Sequence, residues 1–180
     1  MEKIIWEDQT YYINKGMVYD ASFLEVTKEQ ARAVLACHCK TIDYTTFDES
    51  KLLTYLRKLK NAELYDVCLE VVFCGLNTFS DSVSFYTASF PIITSCYRAK
   101  GQPQQAIDFW MQNKKLFASC LSVPLLTSLA AAYCDVGNYE LAKKCANRAY
   151  AIQGGSLNYS TELSLVYRRI KKEYDDGTLI

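Results

Sequence analysis

Cys37, His38 and Cys39 stand side by side, and their side chains are the ones in this chain most able to do chemistry. Thiolate and imidazole groups bind zinc, and a cysteine close to a histidine can act as a nucleophile. Consecutive residues on a helix point about 100° apart, however, and no second Cys-x-x-Cys or histidine pair completes four zinc ligands. Because His38 is the only histidine, a nucleophilic pair would need Cys68 or Cys74 to fold against it. We therefore predict no metal, no cofactor and no enzymatic activity.

The N-terminus and the cysteines predict a soluble, cytoplasmic protein. The sequence turns polar at Glu7 and Asp8 before an apolar run develops, so no signal peptide is visible. No stretch approaches the roughly 20 apolar residues that a membrane span needs, and we expect no membrane association. Without an export signal, the 8 cysteines are expected to be reduced thiols that pack as small apolar side chains.

The composition predicts one folded domain with a small appendage. Of the 180 residues, 50% are hydrophobic and 22% are charged, which suits a continuous core. The 20 basic and 20 acidic residues balance to a net charge of zero. Nucleic-acid-binding domains usually carry a basic excess, so we do not expect a nucleic-acid partner. The sequence also has no glycine-rich phosphate loop, nucleophile elbow or catalytic carboxylate pair.

Residues 1–26 predict a β-hairpin appendage. The aromatic and β-branched runs Tyr11–Ile13 and Met17–Tyr19 flank a turn in which Gly16 would take a positive φ. Ile4–Trp6 can add a third strand. A lone hairpin is marginally stable in water, so this element must pack on helices or on a partner.

Residues 27–180 predict a helical domain. Thr27 and Gln30 have the spacing of a capping box, in which each side chain bonds a backbone N–H at the start of a helix. A helix pair joined near Asn61 follows. Pro103 suits the first turn of a later helix, which we expect to carry Phe117.

A tyrosine-marked repeat runs through the second half of the chain. Tyr97, Tyr133 and Tyr167 lie 36 and 34 residues apart, and each follows an Ile or Leu four positions earlier. Gly101 and Gly137 repeat in phase, again 36 residues apart. A period of this length indicates stacked helical hairpins, a scaffold that usually binds rather than catalyses.

The segment from Leu126 to Gly155 resembles a tetratricopeptide repeat. That family places large apolar residues, a small residue and tyrosine on its first helix, and small residues on its second. The matching positions here are Leu126, Leu129, Ala130, Tyr133, Ala142, Ala146 and Ala149. The resemblance implies a mainly α fold: a right-handed α-solenoid of antiparallel helix pairs with a C-terminal capping helix, beside the short N-terminal β-hairpin.

The resemblance also implies a ligand site, because the first helices of tetratricopeptide arrays line a concave groove. Carried onto this chain, the peptide-binding positions include Ser95, Arg98, Thr127, Asp135, Arg168 and Arg169. Arginine can hold a carboxylate through two parallel hydrogen bonds, so an acidic ligand is expected. The lysine and asparagine pattern of the family's carboxylate clamp is not reproduced, and no particular C-terminal motif is implied.

We therefore expect a non-catalytic interaction module, an adaptor or regulatory protein that holds a protein or peptide in the concave groove. A homodimer is left open. The alternative is a pentatricopeptide-like array that binds RNA, against which the zero net charge argues. A less favoured alternative is an enzyme or metal protein built on Cys37, His38 and Cys39.

Overall fold

The computed structural model of the protein describes residues 1–14, 17–155 and 161–175. It is mainly helical, at 68%, and over these residues it has nine α-helices and a small three-stranded antiparallel sheet at the N-terminus. The prediction of a mainly α protein with an N-terminal β element is confirmed. Contacts divide the chain into two compact units, unit 1 (Met1–Thr78) and unit 2 (Phe79–Ile180).

The sheet of unit 1 has the strand order β1-β2-β3, with β1 at Glu2–Trp6, β2 at Gln9–Asn14 and β3 at Met17–Tyr19. The third strand expected before the hairpin is therefore present. Alternate side chains face inward, so Ile4, Tyr11 and Val18 are buried together with Val34 of the first helix. The turn residue Gly16, for which a positive φ was predicted, lies outside the described residues.

Unit 1 continues with three helices, α1 (Lys28–Cys39), α2 (Glu49–Asn61) and α3 (Tyr65–Thr78), and with a short 3-10 turn at Tyr44–Thr46. The capping box is confirmed: the N–H of Gln30 donates to Oγ1 of Thr27 over 3.3 Å, and the Thr27 N–H donates to Oε1 of Gln30 over 3.4 Å. Leu52, Leu56 and Leu59 form the buried stripe of α2, which packs against α3.

The turn between α2 and α3 is reached through Glu63, which adopts a left-handed φ of 61°. This conformation disfavours residues with a Cβ, but the carboxylate of Glu63 bonds Nζ of Lys28 at 2.7 Å and also pairs with Arg32. Gly101 and Gly137 take the same conformation after two later helices. At all three turns the amide after the left-handed residue donates to a carbonyl five residues earlier: Leu64 to Leu59, Gln102 to Tyr97 and Asn138 to Tyr133.

Unit 2 contains six helices, which pack mainly on their neighbours along the chain. They are α4 (Val83–Ala99), α5 (Pro103–Gln112), α6 (Lys114–Ala118), α7 (Val123–Asp135), α8 (Tyr139–Ile152) and α9 (Thr161–Asp175). α4 packs against α5 and α7, α5 packs against α7, and α7 and α8 both pack against α9. α7 also packs against α8, and three small residues of α8, Ala142, Ala146 and Ala149, are fully buried.

The helix expected to run from Pro103 to Phe117 is divided at Asn113. The Asn113 side chain donates from Nδ2 to the carbonyl of Phe109 over 2.9 Å, and the backbone there leaves helical geometry, with φ at −107°. The break directs Phe117 of α6 into the core, where it is fully buried and stacks on Trp110 with the ring centroids 5.1 Å apart.

Candidate functional site

Three helices of unit 2 are joined by one carboxylate, that of Asp135 at the last position of α7. Arg98 of α4 donates to it twice, from Nε to Oδ2 and from Nη2 to Oδ1, the second bond measuring 3.4 Å. Arg169 of α9 donates from Nη2 to Oδ1 over 2.7 Å. We call these three residues the Arg–Asp–Arg cluster.

The repeat spacing explains why these side chains meet. Asp135 and Arg169 each lie two positions after a tyrosine of the repeat, and Arg98 lies one position after the first. Residues at similar phase on α4, α7 and α9 are therefore directed to one side of unit 2. The sequence had placed Arg98, Asp135 and Arg169 in one groove, and the structure brings these three together.

The electrostatics of the cluster are those of a partly buried ion pair network. Side-chain exposure is 33% for Arg98, 23% for Asp135 and 39% for Arg169. Burial raises the pKa of Asp135, but the hydrogen bonds and positive charges of the two arginines outweigh it and hold the pKa below its usual value. Asp135 is therefore ionised at neutral pH. Two guanidinium groups and one carboxylate leave one positive charge uncompensated within the cluster.

An open depression of about 550 Å³ lies beside the cluster. Its lining residues are Ser95, Arg98, Ala99, Gly101, Pro103 and Asp135. Three of the six predicted peptide-binding residues, Ser95, Arg98 and Asp135, thus border the same space. The lining combines the Arg98–Asp135 ion pair with small and apolar residues.

Thr127 and Arg168 occupy different surroundings from the rest of the predicted site. Thr127 is 2% exposed, so its side chain lies inside unit 2, and its Oγ1 has no hydrogen-bond partner among the described residues. Arg168 is exposed on α9, and in the described part of the chain it forms no ion pair. Its charge is therefore available at the surface, next in sequence to Arg169 of the cluster.

Cys39 is buried and hydrogen-bonded to two tyrosines. Its Sγ lies 3.1 Å from the hydroxyl of Tyr55, and the hydroxyl of Tyr44 donates to its carbonyl oxygen over 2.7 Å. Burial raises the pKa of the Cys39 thiol, and the hydrogen bonds from the two tyrosines offset only part of that effect. A thiol with a raised pKa is a poor nucleophile and a poor metal ligand at neutral pH.

His38 is held by a carboxylate rather than by a cysteine. Its Nε2 lies 3.3 Å from Oε2 of Glu2 in β1. The thiol of Cys68, one of the two cysteines considered for a nucleophilic pair, donates instead to the carbonyl of Leu56 over 3.4 Å. Within residues 1–14, 17–155 and 161–175, no three His, Cys, Asp or Glu side chains are grouped so that they could hold a metal ion.

Comparisons of this chain with protein families, with curated proteins and with solved structures found no match. Among the described helices, none is both long enough and apolar enough to cross a lipid bilayer.

Proposed function

We propose that this protein is a non-catalytic, tetratricopeptide-like interaction module that holds a protein or peptide on the face shared by α4, α7 and α9. In this proposal the helix pairs α4–α5 and α7–α8 are antiparallel hairpins, stacked in a right-handed solenoid and capped by α9. The ligand is acidic or carries a carboxylate.

The recurring turn is the first support for the stacked hairpins. The same left-handed cap follows α4 and α7, at Gly101 and Gly137, 36 residues apart. It also follows α2, at Glu63, although glycine is absent there. A helix end repeated at this interval is typical of arrays in which one hairpin is copied along the chain.

The packing order in unit 2 is the second support. Each first helix of a proposed hairpin packs on its own second helix and on the first helix of the next hairpin: α4 on α5 and α7, and α7 on α8 and α9. The buried alanines of α8 allow the close approach that such stacking needs. First helices in successive contact would form one continuous face.

The observation that carries the proposed ligand chemistry is the arrangement of charge beside the depression. The Arg–Asp–Arg cluster has one uncompensated positive charge, and Arg168 adds a second at the surface of α9. Arginine binds carboxylates through its planar fork, and opposite charge guides a partner to its site. The non-catalytic part of the proposal is supported by Cys39 and His38, whose side chains are engaged by Tyr55 and Glu2.

A peptide selection tests the proposal. We would select binders from a random peptide library on the immobilised full-length chain and measure their affinities in solution by fluorescence anisotropy. We expect an acidic consensus and affinities that weaken with salt, and we expect Arg168→Ala to weaken binding. A library without enriched sequences, or an enriched consensus without acidic residues, would contradict the proposal. Tighter binding of a single-stranded oligouridine than of any peptide would favour the RNA-binding alternative.

A further inference from the structure

We infer that Asp135 is an internal competitor of the ligand: in the free protein it occupies Arg98 and Arg169, and an acidic peptide takes these arginines from it. The inference rests on the proposed function and adds a regulatory contact to the same site. The ligand class it implies is a peptide with carboxylate side chains, entering from the depression that Asp135 borders.

Asp135 carries the same chemical group, a carboxylate, as the proposed ligand. The arginines expected to bind a ligand carboxylate already bind one, and it belongs to the chain itself. Asp135 accepts from both arginines at once, so neither guanidinium can offer a ligand its full set of donors while that contact persists. A ligand carboxylate that uses the same fork must replace Asp135 or share the arginines with it, against repulsion between the two carboxylates.

Asp135 lies at an unfavourable place for a carboxylate. It is the last residue of α7, where the helix macrodipole presents its negative end. The arginines offset that repulsion. The net free energy by which they hold Asp135 is therefore smaller than it would be away from the helix end. A ligand carboxylate that approaches from the depression is not fixed at the helix end, so it can compete with Asp135 although it is not tethered.

The expected size of the effect follows from the exposure of the cluster. The two arginines are 33% and 39% exposed, so each pair with Asp135 is screened by solvent. Two such contacts together favour the state in which Asp135 is paired with both arginines by roughly 2- to 30-fold. Removing the competing charge should therefore tighten binding of an acidic ligand by about the same factor.

The test uses fluorescein-labelled hexaglutamate as the probe and the full-length chain. We compare Asp135→Asn with the parent, and use Asp81→Asn as the matched control. Asp81 is exposed just before the N-terminus of α4, and its replacement changes the net charge equally at a distance of roughly 20 Å along that helix from Arg98. We expect Asp135→Asn to lower the dissociation constant by about 2- to 30-fold, Asp81→Asn to leave it nearly unchanged, and Arg98→Gln added to Asp135→Asn to abolish the gain.

Three outcomes would count against the inference, and they differ in what they say of the proposed function. Weaker or equal binding by Asp135→Asn would overturn the inference alone, since Asp135 would then organise the arginines or play no part in binding. A gain matched by Asp81→Asn would also overturn it, because the effect would be one of net charge. Failure of both the parent and Asp135→Asn to bind hexaglutamate would overturn the inference together with the proposed acidic ligand.

A measurement on the parent protein keeps the inference testable should Asp135→Asn fold poorly. The side-chain carboxyl carbon of Asp135 can be followed by NMR while hexaglutamate is added. Displacement predicts that this signal moves toward the position of a solvated carboxylate as the probe saturates. A signal that stays in place while the Nε signals of Arg98 and Arg169 shift would show that the ligand binds beside Asp135, and would overturn the inference.

Discussion

Replacing Ala142 by leucine should destabilise unit 2 by about 1–3 kcal/mol. Ala142 lies on α8 and is 0% exposed in the core of unit 2, where α8 packs against α7 and α9, so three additional carbon atoms have no space to enter. Such overpacking forces side chains from their preferred rotamers or separates the helices. Ala151 provides the matched control, because it lies on the same helix and is exposed. Ala151→Leu should change the free energy of unfolding by no more than about 0.5 kcal/mol.

The assay is urea unfolding followed by the fluorescence of Trp110. The chain has 2 tryptophans, one in each unit, so a Trp6→Phe background assigns the signal to unit 2. Trp110 stacks on Phe117 in the core that also contains Ala142, so its emission should report the packing of this unit. With a slope typical of small proteins, we expect Ala142→Leu to lower the midpoint by roughly 0.5–2 M urea. Equal midpoints for Ala142→Leu and Ala151→Leu would refute the close packing of α7 and α8.

Three further predictions concern single side chains. Glu63→Gln should destabilise unit 1 more than Glu63→Gly in thermal melts, since glycine relieves the left-handed backbone while both variants lose the ion pairs; the reverse order would contradict this. Folding lowers the pKa of Asp135 below its usual value of 3.8. The ionised carboxylate therefore adds to the free energy of unfolding above pH 3.8, and this contribution is lost as the pH falls through the lowered pKa. Asp135→Asn should therefore reduce the loss of unfolding free energy as the pH falls below 3.8. An unchanged acid dependence would contradict the stabilising role of the ionised Asp135. Burial raises the pKa of Cys145 to about 11, so iodoacetamide at pH 8 should modify exposed Cys120 well before Cys145, as read by peptide mass spectrometry; equal rates would refute this.

The elements that the sequence predicted well are those defined by neighbours in the chain. The capping box at Thr27 and Gln30 needs two side chains three residues apart, and alternation over Tyr11–Ile13 and Met17–Tyr19 needs no distant contact. The turn after α2 was expected near Asn61 but is centred on Glu63, a residue that rarely adopts positive φ. Glu63 also forms ion pairs with two residues of α1, Lys28 and Arg32, which the sequence around Glu63 does not predict.

The sequence indicated which residues of the candidate site share one face, but not which of their side chains form ion pairs. The tetratricopeptide resemblance placed Arg98, Asp135 and Arg169 among the groove positions, and the structure joins these three side chains by ion pairs. That Asp135 would accept from both arginines depends on side-chain reach across three helices, which spacing does not encode. The same limit applies to Thr127, whose burial follows from how closely the neighbouring helices pack.

A titration of the tightest selected acidic peptide against Arg168→Ala at two salt concentrations tests whether the face of α4, α7 and α9 binds the ligand. Arg148→Ala is the control, since it removes an exposed arginine from α8, outside the proposed binding face. Arg168 is preferred to Arg169 because Arg169 also joins α9 to α7 through Asp135. We expect Arg168→Ala to weaken binding at low salt and to reduce its salt dependence, and we expect Arg148→Ala to change neither. Unchanged affinity of Arg168→Ala at both salt concentrations would rule out Arg168 as part of the binding face and would place the binding surface elsewhere on the protein.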